Sequence, residues 1–513
     1  MKLNNILFKG AAACAMLMSV SCSDSYLDTD PTEFLDEDAV SEVLQQDESR
    51  VVALITGAYM NFYNGGDYHT RHDDFGYPAI VITTDLLCED VAYWRDAHFF
   101  CYDYQLDNRL GNYARTVSMW RQLYQVIDNT NDIIEMLKPT DSRPAPTSSS
   151  LQSMLGQAYG LRAYCYFWLV NLWQQPLSCG ADQLGVPLKT EDVYRPERVP
   201  VGEIYGQIVE DLDNAYGYLQ GGGISNKGNL SEYSVAAIYA NVLMFMGDYA
   251  NAAKYAEEAI KGGALNSPAE MLSGFNSLDM SEVIWGYSVN NETTGYYASF
   301  FSHMDSYFIG YGGQVGYRKL VGSNLYDQIA DNDVRKGWFG LNDNYNLLDV
   351  SYAFEQSANF QNYIAGKFRD KYMTSDGADD PFTSDIIYFR TAEMYYLAAE
   401  AYYLNNEPAK AQAKLNEIMS TRVNGYNCGL TGDALYDEIC LQKRIDMWGE
   451  GCRYLDAKRR DETIDRSKNV NNAADLVYYN AINYSARDYR MIYRIPTVEM
   501  QNNPDIPESD DNK

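Results

Sequence analysis

Two stretches of this chain gather side chains suited to holding a polyhydroxylated ring. A sugar presents apolar C–H faces that stack on aromatics, and hydroxyls that need planar polar partners. Trp or Tyr interleaved with Asp, Asn, Gln or Arg is therefore the pattern to seek. The first stretch offers Tyr68, His69, Arg71, Asp73, Asp74 and Tyr77, then Tyr93-Trp94-Arg95-Asp96. The second offers Asn290, Asn291, Tyr296, Tyr297, Phe300, Phe301, Tyr307, Tyr311, Gln314 and Tyr317. From these the candidate ligand contacts are Tyr68, Arg71, Asp73, Tyr77, Tyr93, Trp94, Arg95 and Asp96, with Asn290, Tyr296, Tyr297 and Tyr311. Trp94 stands out because its neighbours are charged or polar rather than apolar. Trp285 follows Val283-Ile284, and Trp120, Trp168 and Trp173 lie among apolar helical residues, so all four are expected in the core.

Nothing in the chain spells out catalysis. There is no G-x-S-x-G, no H-E-x-x-H and no phosphate loop. With 71 Asp and Glu some pair always resembles a glycosidase couple, so such pairs carry no information. His69-Thr70-Arg71-His72, with His98 and His303, could nominate a metal site, but four histidines in all suit surface or core roles better. No catalytic residue, metal site or cofactor is expected; a structural Ca²⁺ among the many Asp and Asn side chains stays open. Nine cysteines without a C-x-x-C argue against a disulfide framework or a zinc site.

The elements that would position these residues begin with a secretion signal. Lys2 and Lys9 precede an apolar run, Gly10 to Val20, too short to cross a bilayer as a permanent helix. Small residues lead into Cys22, which suits lipoprotein processing with acylation of that thiol. Residues 1–21 then form the signal, 22–40 an acidic leader and 41–513 a single body. A formal charge of −31 repels phosphate backbones and excludes nucleic acid as a partner. Hydrophobic residues at 46% allow a sizeable core, and 45 tyrosines exceed what a soluble core requires, a hint of half-wet contact surfaces.

Helical periodicity places helices from about 48 to 63, 115 to 137, 151 to 173 and 201 to 219. Two hairpins stand out. Ala240 and Leu243 face Ala252, Ala256 and Ala259 across Gly247-Asp248-Tyr249, and Ala399 and Tyr402 face Ala411, Leu415 and Ile418 across Asn405 to Pro408. Small residues there let antiparallel helices pack closely, the logic of a tetratricopeptide (TPR) unit. Between the hairpins, about 262–384 is rich in Gly, Asn, Asp and Tyr, with one short strand expected near Val283–Trp285. The fold class expected is mostly α: TPR-like hairpins forming one body, with a long irregular insertion.

An ordered set of segments resembles the SusD/RagB family of outer-membrane nutrient-binding lipoproteins. It comprises Cys22 to Asp28, Trp120 to Tyr124, Leu161 to Phe167, Arg198 to Leu212, the Gly247 hairpin, Glu393 to Ala401, Arg444 to Asp456, and Arg494-Ile495-Pro496 to Asn503-Pro504. Cys452 stands where the family more often has His. The resemblance implies four TPR-like pairs, a lipid anchor on the extracellular face of the outer membrane, and a SusC-like TonB-dependent transporter barrel as partner. It implies an oligosaccharide ligand, with a peptide as the alternative within the family. It also makes Arg444, Glu450, Arg453 and Asp456 look like a structural ion-pair network. A TPR-like protein-interaction scaffold and a helical glycoside hydrolase are the readings from outside that class.

Overall fold

The computed structural model describes residues 48–65, 71–95, 97–141, 143–341, 356–374, 380–472 and 474–512. Cys22, with the signal and leader segments, lies outside the described residues, as do Tyr68, His69 and Asp96. Ser49–Lys138 and Ala145–Lys513 form one compact unit, described below.

The scaffold is a succession of helical hairpins. Helices α1 (Ser49–Asn64), α2 (Tyr77–Leu86), α3 (Ala114–Leu137), α4 (Ser149–Trp173), α5 (Val201–Leu219), α6 (Glu232–Met246) and α7 (Tyr249–Ile260) form its first half. Helices α8 (Thr391–Leu404), α9 (Pro408–Met419), α10 (Asp433–Asp446) and α11 (Cys452–Arg460) form its second. Neighbours pack in chain order, α3 on α4, α4 on α5, α6 on α7 and α8 on α9, and α7 meets α8 across the insertion.

Local chemistry sets the turns. Gly247 ends α6 at φ 77, a left-handed conformation that glycine adopts without strain. The Asp248 side chain then accepts from the Asn251 N–H to start α7. Ala252, Ala256 and Ala259 are buried on the face that α7 turns to its neighbours, and Ala399 and Ala411 serve the second hairpin in the same way. The TPR-like reading therefore holds in side-chain detail.

Among the described residues four two-stranded ribbons punctuate the helices. Strand β1 (Val91–Ala92) pairs with β5 (Leu320–Val321), and β2 (Leu184–Lys189) with β3 (Tyr194–Pro200). Strand β4 (Val283–Tyr287) pairs with β6 (Ile386–Arg390), and β7 (Thr463–Asp465) with β8 (Asn483–Ser485). The expected strand around Val283–Trp285 is present, and its partner begins the return to the helical scaffold. Between them the described insertion contains helical turns of four or five residues, such as Phe300–Met304, the β5 pairing and isolated bridges such as Phe339 to Ala365.

Two expectations change. Helix α2 occupies part of the first aromatic stretch, and every one of its residues is buried. A helix enclosed on all sides shows no amphipathic period, which is why periodicity does not mark it. Gly76 at φ 76 precedes it, where an added Cβ would lie 2.2 Å from the Tyr63 carbonyl oxygen, so only glycine lets the chain pass. Tyrosine count is the second correction. Among the described residues eighteen tyrosines are buried, and the phenol tips tie distant segments together. Tyr59 donates to Gln157 and accepts from the Leu230 N–H, and Tyr454 donates to the Asn171 and Met491 carbonyls.

Charge is buried on a large scale. Asp446 accepts from Arg422 at 2.8 Å, Arg390 at 3.2 Å and the Tyr396 hydroxyl at 2.9 Å, with Arg335 at 3.6 Å. Glu282 pairs with Arg390 and Arg422, Asp333 with Arg335, and Glu450 with Arg390 and Lys367. Glu282, Asp333, Arg335 and Lys367 belong to the insertion, the others to the C-terminal half, so the network fastens one to the other. Nearby, Arg444 and Arg453 share Glu89 and Asp90, and Asp456 meets Lys443, Arg459 and Arg460. The structural role expected of Arg444, Glu450, Arg453 and Asp456 is what these pairs provide.

The buried Asp85 carboxyl on α2 accepts the Gly451 N–H at 3.0 Å, and burial raises its pKa from 3.8 to about 8, with the N–H and then Lys367 only partly opposing. A raised folded pKa adds stability below the unfolded value and loses it as pH climbs to the folded one. Asp85→Asn, which does not titrate, is therefore expected to gain on the wild type between pH 3.8 and about 8, with no further gain above. Denaturant midpoints across that range measure it; a constant difference would mean that Asp85 is ionised in the fold.

Candidate functional site

The β1–β5 ribbon sets the two sequence stretches side by side. Val91 pairs with Val321 and Ala92 with Leu320, so the chain leaving β1 runs along the chain entering β5. Arg95 Nη1 then donates to the Val315 carbonyl at 2.8 Å. A second crossing joins them further out, where His72 Nδ1 and the Tyr311 hydroxyl lie 2.7 Å apart and His303 Nε2 meets the His72 carbonyl at 2.8 Å.

Aromatic rings fill the seam. Tyr311 is at its centre, with His303 stacked at 4.8 Å, His98 at 4.6 Å, and Phe99 and Tyr297 edge-on at 5.9 and 6.1 Å. Tyr317 stacks on His98 at 4.4 Å, and the Arg95 guanidinium lies 5.1 Å from the centroids of both Trp94 and Tyr317. Phe382, from the far end of the insertion, reaches Tyr297 at 5.2 Å and Tyr296 at 6.5 Å. Tyr296 and Tyr297 are the exposed rings, at 61% and 39%. A cleft of about 330 Å³ adjoins this platform, lined by Tyr63, Asn64, Phe75, Tyr296 and the 292–299 loop.

The loops that carry the rings are held in costly backbone. His98, Tyr296 and Phe382 have φ of 75, 50 and 67. Such left-handed conformations cost non-glycine residues about 1–3 kcal/mol and cluster where a loop must present a side chain. Around Tyr296 the bonds that fix the turn are local: its N–H donates to Thr294 Oγ1, and Ser299 Oγ donates to its carbonyl.

Electrostatically the platform is neutral at its rings and positive behind them. Burial lowers the pKa of His98 to about 4, with Lys319, Arg71 and His72 adding to the effect, and burial pushes His303 well below the ordinary value. Both imidazoles are uncharged near neutrality and act as aromatic surface. Three histidines thus meet around Tyr311, yet among the described residues no group of three His, Cys, Asp or Glu is placed to hold a metal ion.

The predicted contacts divide clearly. Trp94, Arg95, Tyr296, Tyr297 and Tyr311 belong to the platform. Arg71 lies over Phe99 at 5.0 Å and is held by Asp73 at 3.1 Å. Asp73 itself is 1% exposed and locked to buried Arg115 at 2.9 Å, so it positions Arg71 instead of facing solvent. Tyr93 is buried below the platform, its hydroxyl donating to the Ala97 carbonyl. Tyr77 is core: its ring stacks on Phe62 at 4.6 Å and its hydroxyl meets Tyr164 at 2.7 Å. Asn290 is exposed but spends its side-chain oxygen on the Glu292 and Thr293 N–H groups of its own turn. Phe300, Phe301 and Tyr307 are buried. His72, His98, Phe99 and Phe382 were not singled out as ring surface. The His98-Phe99-Phe100 run, two residues beyond Asp96, is the signal that could have found two of them, whereas Phe382 has none nearby.

Two family models match the chain in succession, "Starch-binding associating with outer membrane" over residues 33–243 and "SusD family" over residues 281–509. The chain belongs to the SusD family. A SusD-like protein of Formosa agariphila is 23% identical, with 99% of both chains covered. A SusD superfamily structure from Bacteroides thetaiotaomicron superposes with a TM-score of 0.76 at 22% identity, covering 91% of this chain and 99% of that one. Surface glycan-binding protein A from the same species, solved with laminarihexaose, gives 0.63 at 16% identity over 89% and 97% of the two chains. The fold and order of elements described above are thus those of SusD superfamily members. Among the described residues no helix of this SusD-family chain is long and apolar enough to cross a membrane.

Proposed function

We propose that this protein is a cell-surface receptor that captures an oligosaccharide on the platform and passes it to a TonB-dependent transporter barrel. Cys22 would carry the lipid that holds it to the outer membrane, facing outward. The observation that carries the reading is the convergence of Trp94, Tyr297, Tyr311 and Tyr317 with Arg71 and Arg95 on one seam. Neutral rings offer stacking surface, and the guanidiniums at their edge offer planar donors for ring hydroxyls. The reaction proposed is binding and release, with no covalent step. A relative with bound laminarihexaose and a matching model described as starch-binding support a glycan over a peptide.

Calorimetric titration of residues 23–513 against neutral glycans and peptide digests tests the ligand class. Saturable heat from one glycan class is the expected result; heat from peptides alone would transfer the same platform to peptide capture. Membrane fractionation of the full chain beside Cys22→Ala tests the anchor, which predicts release of the variant from the membrane fraction.

A further inference from the structure

The cleft of about 330 Å³ beside the platform is walled largely by the 292–299 loop, whose own bonds use up most of its polar groups. Asn290 Oδ1 accepts the Glu292 and Thr293 N–H groups at 2.8 and 3.1 Å, and Thr293 Oγ1 accepts the Asn290 N–H at 3.0 Å. Thr294 Oγ1 donates to the Phe382 carbonyl at 2.7 Å and accepts the Tyr296 N–H. Ser299 Oγ donates to the Tyr296 carbonyl at 2.6 Å and accepts the Ser302 N–H.

Glu292 is the exception. It lines the same cleft, it is exposed, and among the described residues its carboxylate has no hydrogen-bond or ion-pair partner. Next to it, Asn291 holds a second exposed carboxylate, donating from Nδ2 to Asp380 Oδ2 at 2.9 Å. Among the described residues no Lys or Arg pairs with either. The two guanidiniums join the ring series elsewhere, Arg71 over Phe99 and Arg95 over Tyr317, whereas the cleft adjoins Tyr296. The site is therefore cationic at one part of its rim and anionic at another.

We infer that Glu292 selects the charge class of the ligand: the sugar ring in the cleft is uncharged or carries an amine, and a ring bearing a carboxylate or sulfate is rejected. The inference rests on the platform being a glycan site. An ionised carboxylate offers acceptors only. It takes two hydroxyls of a neutral ring, or an ammonium, and meets an acidic ring with like charge alone. Screening over about 10 Å in physiological salt leaves this choice to the nearest charge, not to the −31 of the whole chain. Exposed Tyr296, bordering the same cleft, gives the ring's C–H face a surface to rest on.

The test is a glycan array carrying neutral, amine-bearing, uronate and sulfated versions of each backbone, probed with the wild type, Glu292→Gln and Glu292→Lys. Both substitutions fall at an exposed loop position, and an unchanged unfolding transition shows that each variant folds. On whichever backbone binds, the wild type is expected to favour neutral and amine-bearing rings over acidic ones by about fivefold, the upper size of one exposed charge pair. Glu292→Gln should close that gap and Glu292→Lys should reverse it. Acidic rings bound by the wild type as well as neutral ones overturn the inference. So does a gap that neither substitution moves. Both of those results leave the glycan reading of the platform intact, whereas silence of every glycan overturns that reading and this inference with it.

Discussion

Tyr297→Ala is expected to weaken glycan binding about thirtyfold, or about 2 kcal/mol, the size of loss typical when a central aromatic contact is truncated. The ring is exposed and fixed between Tyr311 and Phe382, so it is pre-positioned and its removal leaves no cavity in the core. Unfolding should be unaffected. Trp94→Ala should act in the same direction while also freeing Arg95, which lies over its ring. Tyr77→Ala is the contrasting case. It deletes a ring packed on Phe62 and should cost about 3–5 kcal/mol of stability, with the platform's own contacts untouched in whatever remains folded. Calorimetry and denaturation on the three variants separate the outcomes. Full affinity in Tyr297→Ala and Trp94→Ala would move the ligand off this surface.

Asp446→Ala should be the most destabilising single change in the C-terminal half. Burial disfavours its charge, but Arg422, Arg390 and Arg335 together outweigh that and hold its carboxyl below the usual range. Removing one partner of a buried ionic cluster leaves uncompensated charge and costs about 3–5 kcal/mol. Three guanidiniums would then share only Glu282, Asp333 and Glu450. The insertion is expected to loosen before the hairpins do, because the network is what fastens it. Hydrogen exchange across 281–285 and 331–338, beside the half-life at raised temperature, reads both effects. A loss below about 1 kcal/mol, within the range of solvent-exposed pairs, would mean that water enters the network. The sign with acid follows: a depressed folded pKa adds stability above the unfolded carboxylate value, and that stability drains as pH falls below it.

Much of this architecture was legible before any coordinates. The Val201–Leu219 helix has one apolar face and one polar face, and its bounds read directly from that period. The Gly247-Asp248 turn carries both a C-terminal and an N-terminal cap in two residues. Tyr77–Leu86 was illegible for the opposite reason, since burial on every side erases the contrast on which periodicity depends. The Leu184–Pro200 ribbon was hidden by Pro187, Pro196 and Pro200, residues that argue against strands although irregular pairing tolerates them. At the site, residue chemistry marked Trp94, Tyr297 and Tyr311, but not that Asp73 would spend its charge on Arg115. That pairing spans 42 residues and leaves no local trace. Phe382 joins the platform from still further along the chain, which only the folded insertion determines.

The pairs Arg444–Asp90 and Arg453–Glu89 close loops of 354 and 364 residues. A polypeptide delivered N-terminus first therefore exposes Glu89 and Asp90 long before their cations exist. The early helices can form as they emerge, but the segment after α2 has to wait, solvated, until almost the whole chain has arrived. Contacts this distant make folding slow for its size. The acidic pair after α2 is thus neutralised by cations that enter the chain more than 350 residues later.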